Sequence, residues 1–171
     1  MTPLEALREQ MQWNIDFRRR SAPPADLRFL CIEDLVLQHG TVFQRAVKRP
    51  PVQPIPRSCF AQSYRLATRK GSKWVYCEGY AVCPNSFGIA INHAWVMNPA
   101  DPGEAHDLAW PLDQTRDITA YIGIPFRPEF VRETHKASGR RDYSVLDTWW
   151  QHYPLITGET RIEDVTWRPS C

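Results

Sequence analysis

The stretch from Arg57 to Asp107 constrains the fold most, because it sets three reactive side chains on three successive segments of different pattern. A cysteine opens a helical pattern, Ser58-Cys59-Phe60-Ala61-Gln62-Ser63-Tyr64-Arg65-Leu66-Ala67, that Gly71 is expected to end. A β-type run follows from Trp74 to Val82. A second, from Ile89 to Met97, carries one histidine, His93. Pro84-Asn85-Ser86-Phe87-Gly88 between them reads as the turn of an antiparallel hairpin. Pro99-Ala100-Asp101-Pro102-Gly103 reads as a second turn, returning the chain so that Asp107, in a short strand-like piece, lies beside the His93 strand. The order is thiol, imidazole, carboxylate, the groups that turn a cysteine into a nucleophile with an oriented base. A thiol at a helix N-terminus is also favoured as thiolate by the unpaired N–H groups there.

The flanks predict further helices and a mixed α+β fold. Thr2-Pro3-Leu4-Glu5 is a helix start with a capping box, and Leu4, Leu7, Met11 and Ile15, with Trp13 nearby, recur at helical spacing. Arg18-Arg19-Arg20 reads as a solvated helix end rather than a phosphate patch. A second helix is expected from Asp26 or Ile32 to His39, stopped by Gly40. Residues 41–56 read as an extended, proline-rich approach to the cysteine helix. Tyr121 to Phe126 is a strand, and Glu129 to Lys136 and Ser144 to His152 read as two helices, the second capped by Ser144. The cluster of Arg132, His135, Lys136, Arg140, Arg141 and Asp142 reads as a solvated helix end and loop. Trp149-Trp150 reads as core. The segment 160–167 is too short to assign.

Composition bounds the class. With 171 residues, 43% of them hydrophobic, the chain is expected to close one core as a single domain. A net charge of +2 is too small by itself to argue for nucleic acid, so no nucleic-acid partner is expected, and no apolar run approaches the length of a membrane span. A soluble, cytoplasmic protein without cofactor is expected. The five cysteines, at 31, 59, 77, 83 and 171, are odd in number and hold no Cys-x-x-Cys pair, which argues against structural zinc and against a disulfide framework. Cys31, Cys77 and Cys83 read as small buried hydrophobes and Cys171 as exposed.

Gly79-Tyr80, His93-Ala94-Trp95-Val96 and Asp107, placed after a cysteine helix, resemble the transglutaminase-like branch of the papain-like fold over the central third of the chain. The resemblance implies a papain-like core in which a cysteine helix and N-terminal helices pack on an antiparallel sheet. It implies catalytic Cys59, His93 and Asp107. Asp107 is followed by Leu108-Ala109-Trp110 rather than the family's proline or small polar pair, so the third role stays open between Asp107, Asn98 and Asp101. By the same resemblance Gln53, six positions before Cys59, is a candidate oxyanion donor, with Gln62 as a weaker one. Trp95 shares the face of His93; with Tyr80 it is a candidate substrate contact, and both, like Trp110, equally fit plain core.

Two readings stay open. One is a thiol enzyme acting on a peptide, protein or small amide substrate: a peptidase, amidase or deamidase, or a transglutaminase if an amine is the acceptor. The other is a non-catalytic protein-binding module on the same scaffold.

Overall fold

The computed structural model describes residues 1–46, 52–82, 88–110 and 119–169. The fold is mixed α+β, built on a closed five-stranded barrel. In chain order the elements are α1 (Pro3–Arg20), α2 (Ile32–His39), β1 (Thr41–Arg45), α3 (Cys59–Thr68), β2 (Val75–Val82), β3 (Ile91–Asn98), β4 (Asp101–His106), β5 (Ala120–Phe126) and α4 (Pro128–Ser138). Two short helices follow, α5 (Pro154–Thr157) and α6 (Ile162–Val165).

The strands run β1-β4-β3-β2-β5 around the barrel, and β1 closes it by pairing antiparallel with β5 and parallel with β4. The expected antiparallel sheet is therefore present from β4 through β3 and β2 to β5, but the start of the supposed extended approach is itself a strand, and it seals the sheet edge. Closure removes both edges at once. The turn expected over 99–103 is shorter: Asp101 already pairs with Asn98, so β4 begins there. The hairpin residues 84–87, Cys83, Cys171 and Pro50-Pro51 lie outside the described residues.

Alternation along the strands sorts the core into two groups. Tyr76, Tyr80, Val82, Ala94, Val96, Ile122 and Ile124 face the helices, where Leu7 and Met11 of α1, Leu35 and Val36 of α2, and Leu66 and Ala67 of α3 cover them. Phe43, Val75, Cys77, Ala81, Trp95, Met97, Ala105 and Tyr121 form a second cluster with no helical member, the filling of the barrel. In α1 the capping box forms as read, with Thr2 and Glu5 bonded reciprocally. Trp13, however, is 67% exposed and stacks on Phe17, off the buried stripe of Leu7, Met11 and Ile15.

Residues 144–152 do not form the expected helix. Ser144 Oγ, Val145 N–H and Leu146 N–H all donate to the buried carboxylate of Glu78 on β2, so these groups are spent on the sheet rather than on a helix. Ser144 caps a single turn, through Asp147 N–H at 2.7 Å, and left-handed His152 and Tyr153 (φ 55° and 54°) end the short 3₁₀ turn at 149–151. Trp149, read as core, is 59% exposed. His135, read within a solvated cluster, is buried: its Nδ1–H donates to Arg140 O at 2.8 Å, and its ring lies 4.3 Å from that of Tyr64.

One close approach prepares the site. Gly79 of β2 stands opposite His93 on one side and Gly123 on the other. A Cβ on Gly123 would sit 2.5 Å from Trp95 Cη2 and 2.6 Å from Glu78 O. The missing side chains open the space that the Trp95 indole fills beside His93.

Candidate active site

Cys59 is the first residue of α3, and α3 packs chiefly on β3, the strand that carries His93. The approach to the helix is tightly bent. Arg57 has φ 61°, a left-handed conformation costly for a residue with a side chain, and Ser58 Oγ donates to Ile55 O at 2.6 Å. Ile55 N–H donates to Leu108 O at 2.9 Å, which ties the loop before Cys59 to the segment after Asp107. That backbone stitch holds the two ends of the site together. The Cys59 side chain is half-buried, so a small reagent can reach it.

His93 is buried on β3, and its Nε2 lies 2.8 Å from Asp107 Oδ2. With Nε2–H committed to the carboxylate, Nδ1 is the other ring nitrogen, and Cys59 lies close enough to act electrostatically on this imidazole. The Trp110 ring lies flat on His93, with centroids 4.1 Å apart and planes 9° from parallel. Arg45 Nη2 donates to Trp110 O at 2.5 Å and so holds that indole's backbone in place.

Asp107 falls one residue past β4 rather than in a strand of its own, and its position depends on the antiparallel pairing of Val96 with His106. Leu108-Ala109-Trp110, the departure from the expected pattern, wraps into a turn around the carboxylate. Ala109 N–H and Trp110 N–H donate to Oδ1 at 2.8 and 3.0 Å. Tyr121 O–H adds a bond to Oδ2 at 2.9 Å. Asn98 and Asp101, the alternatives, pair with each other at the far end of the β3–β4 hairpin. Five residues of strand, about 16 Å, separate Asn98 from His93.

The electrostatics favour an ion pair. Burial works against a charged imidazole, but the Asp107 carboxylate and its hydrogen bond, helped by Cys59, push His93 up to about 10. Burial likewise opposes ionisation of Asp107, and the adjacent His93 and the two backbone donors overcome it, holding the carboxyl below its ordinary value. The raised histidine contributes stability that is complete below its unfolded value near 6.5 and is lost as pH rises towards 10; the depressed carboxyl contributes stability that is lost at acid pH. Urea unfolding from pH 6 to 10 should therefore show stability falling with pH in the wild type and a flatter dependence in His93→Gln. Parallel slopes in the two proteins would show that the pair is not linked to folding.

The remaining expected residues are not brought to the sulfur. Trp95 shares the His93 face as read and is fully buried in the barrel, edge-on to Phe43 at 5.4 Å, the core placement that the sequence left open for it. Tyr80 stands opposite Asn92, one register step from the His93–Gly79 pair, and therefore points to the opposite face of β2. Burial and the neighbouring Glu33 push its hydroxyl well above the usual range. It lines a separate cavity of about 670 Å³ with Trp13, Phe17, Cys31, Glu33 and Tyr153; neither Cys59 nor His93 borders that cavity. Gln53 is exposed on the loop before α3 and makes no side-chain hydrogen bond among the described residues, whereas the backbone N–H of Cys59 lies at the free end of α3. Tyr121, Arg45 and the bend at Arg57 carry no signal in the sequence that marks them for this site.

Among the described residues no three His, Cys, Asp or Glu side chains converge as they would around a metal ion, and no helix is long and apolar enough to cross a membrane. No family model matches the chain, and no curated protein or solved structure is significantly similar to it.

Proposed function

We propose that the protein is a cysteine-dependent amide hydrolase with a papain-like, transglutaminase-like core. Cys59 is the nucleophile, His93 the base and acid, and Asp107 the residue that orients the imidazole. The observation that carries this reading is the close His93–Asp107 pair, buried near the reachable thiol at the start of α3. The carboxylate on His93 Nε2 is itself held by three more donors, and a thiol at a helix start lies near the same imidazole, more than packing alone requires.

In this scheme the proton passes from sulfur to Nδ1 of His93, giving a thiolate–imidazolium pair. The thiolate attacks the amide carbon and the carbonyl oxygen takes the negative charge, met by the Cys59 N–H. The imidazolium then protonates the leaving nitrogen as the C–N bond breaks. Water, deprotonated by the same ring, releases the acid and restores the thiol. Asp107 keeps its charge throughout and fixes which ring nitrogen faces sulfur.

Competitive alkylation with iodoacetamide at pH 6, followed by peptide mapping, tests the reading within one molecule. Cys31 is also half-buried, but burial pushes its thiol up to about 12. Cys59 is expected to label roughly 100-fold faster than Cys31 or more. Equal, slow labelling of the two would leave a scaffold with no activated thiol.

A further inference from the structure

We propose that Tyr121 is a positioning residue for the Cys59–His93 pair, acting through its hydrogen bond to Asp107. The inference rests on the cysteine-hydrolase reading above. Tyr121 is fully buried on β5, and β5 borders β2 and β1 but neither β3 nor β4. Its hydroxyl therefore reaches Asp107 across the barrel rather than from an adjoining strand.

Packing alone does not call for the hydroxyl. The Tyr121 ring meets Trp95 at 5.1 Å in an otherwise apolar cluster, a contact that phenylalanine would keep. What the oxygen adds is a second donor on Oδ2, the same atom that accepts from His93 Nε2–H. With Oδ1 taken by Ala109 and Trp110, every part of the carboxylate is engaged, and its charge is spread over four donors. A carboxylate so engaged draws less strongly on the His93 proton, and less negative potential reaches the sulfur beyond. Both effects favour a thiolate that forms at lower pH.

Among the described residues, the other ionisable groups around this end of the barrel include Cys59 from α3, Arg45 from β1, and His106 and Glu104 of β4, which lie 3.8 Å from each other.

The test is the pH profile of Cys59 alkylation on the full chain, read by peptide mapping from about pH 4 to 8, with thermal unfolding of each protein alongside. Tyr121→Phe should move the acid limb upward by about half to one pH unit, less than the roughly one to two units that a hydrogen bond to a charged group is worth, because the effect reaches sulfur only through Asp107 and His93. Site-specific 3-fluorotyrosine at position 121, a stronger donor of the same shape, should move it downward. A merely structural tyrosine would change the melting temperature and leave the limb where it was. A limb unmoved in both variants, or moved the same way by both, overturns the role of Tyr121 while leaving the thiol reading intact. If the wild-type profile has no acid limb below neutrality and Cys59 labels as an ordinary thiol, the hydrolase reading fails and the role of Tyr121 with it. Should the phenylalanine variant not fold, the fluorinated protein decides alone.

Discussion

Replacing His93 by alanine is expected to slow alkylation of Cys59 at pH 6 by roughly 10- to 100-fold. An ordinary thiol with a pKa near 8.5 is only about 0.3% thiolate at that pH, whereas a thiol paired with an imidazolium is mostly ionised. The gain in thiolate is partly offset because a less basic sulfur is a weaker nucleophile, which brings the net change into the stated range. Turnover of an amide should fall further, by about 10²- to 10⁴-fold, since the base is also the acid for the leaving nitrogen. Alanine leaves Asp107 buried without its main partner, at a cost of about 1–3 kcal/mol, so His93→Gln is the cleaner variant: its amide can still donate to the carboxylate but cannot take the thiol proton. Asp107→Asn should give an intermediate loss by favouring the wrong ring tautomer, and Asp101→Asn should leave the rate unchanged, because Asp101 sits at the far end of the hairpin. A wild-type rate in His93→Gln would remove the histidine from the site.

The largest loss of stability is expected at Glu78, not at the site itself. Its side chain is fully buried, and burial pushes the carboxyl up while four donors pull it back. Oε2 accepts from Tyr76 O–H at 2.7 Å and Val145 N–H at 2.8 Å; Oε1 accepts from Ser144 O–H and from Leu146 N–H at 3.3 Å. Glu78→Ala strands three donors, Tyr76 O–H, Ser144 O–H and Val145 N–H, and leaves Leu146 N–H only Ser144 Oγ, so it is expected to cost about 3–5 kcal/mol in urea unfolding. The segment around Ser144 to Thr148 should become cleavable by protease at the same time. Glu78→Gln, which keeps two polar atoms but turns one from acceptor to donor, should cost less. A loss below about 1 kcal/mol in the alanine variant would show that Val145 and Leu146 are held by their apolar burial alone.

The places where the chain was readable share one property: the signal is local. The capping box at Thr2 and Glu5, the cysteine at a helix start, the strand carrying His93 and the strand 121–126 all follow from neighbours in sequence. The misreadings share the opposite one. Ser144 to His152 has a helical cap and buried residues at its start, but its hydrogen bonds go to a carboxylate 66 residues away. Tyr80 and Trp95 fit either a substrate contact or plain core by sequence alone. Strand alternation sends Tyr80 to the helix side, and barrel closure walls Trp95 in.

The order of thiol, imidazole and carboxylate, and the kind of segment each rides on, were settled by the residues themselves, since caps and period-two runs act over a few positions. That His93 meets Asp107 near the start of α3 was decided by the barrel. The β3–β4 register sets Asp107 beside His93, and the bond from Ile55 to Leu108 draws in the loop that carries Cys59. The hydroxyl of Tyr121 arrives from the far wall. Contacts of that kind join residues from separate strands and loops, and only closure of the chain on itself brings them within hydrogen-bond reach.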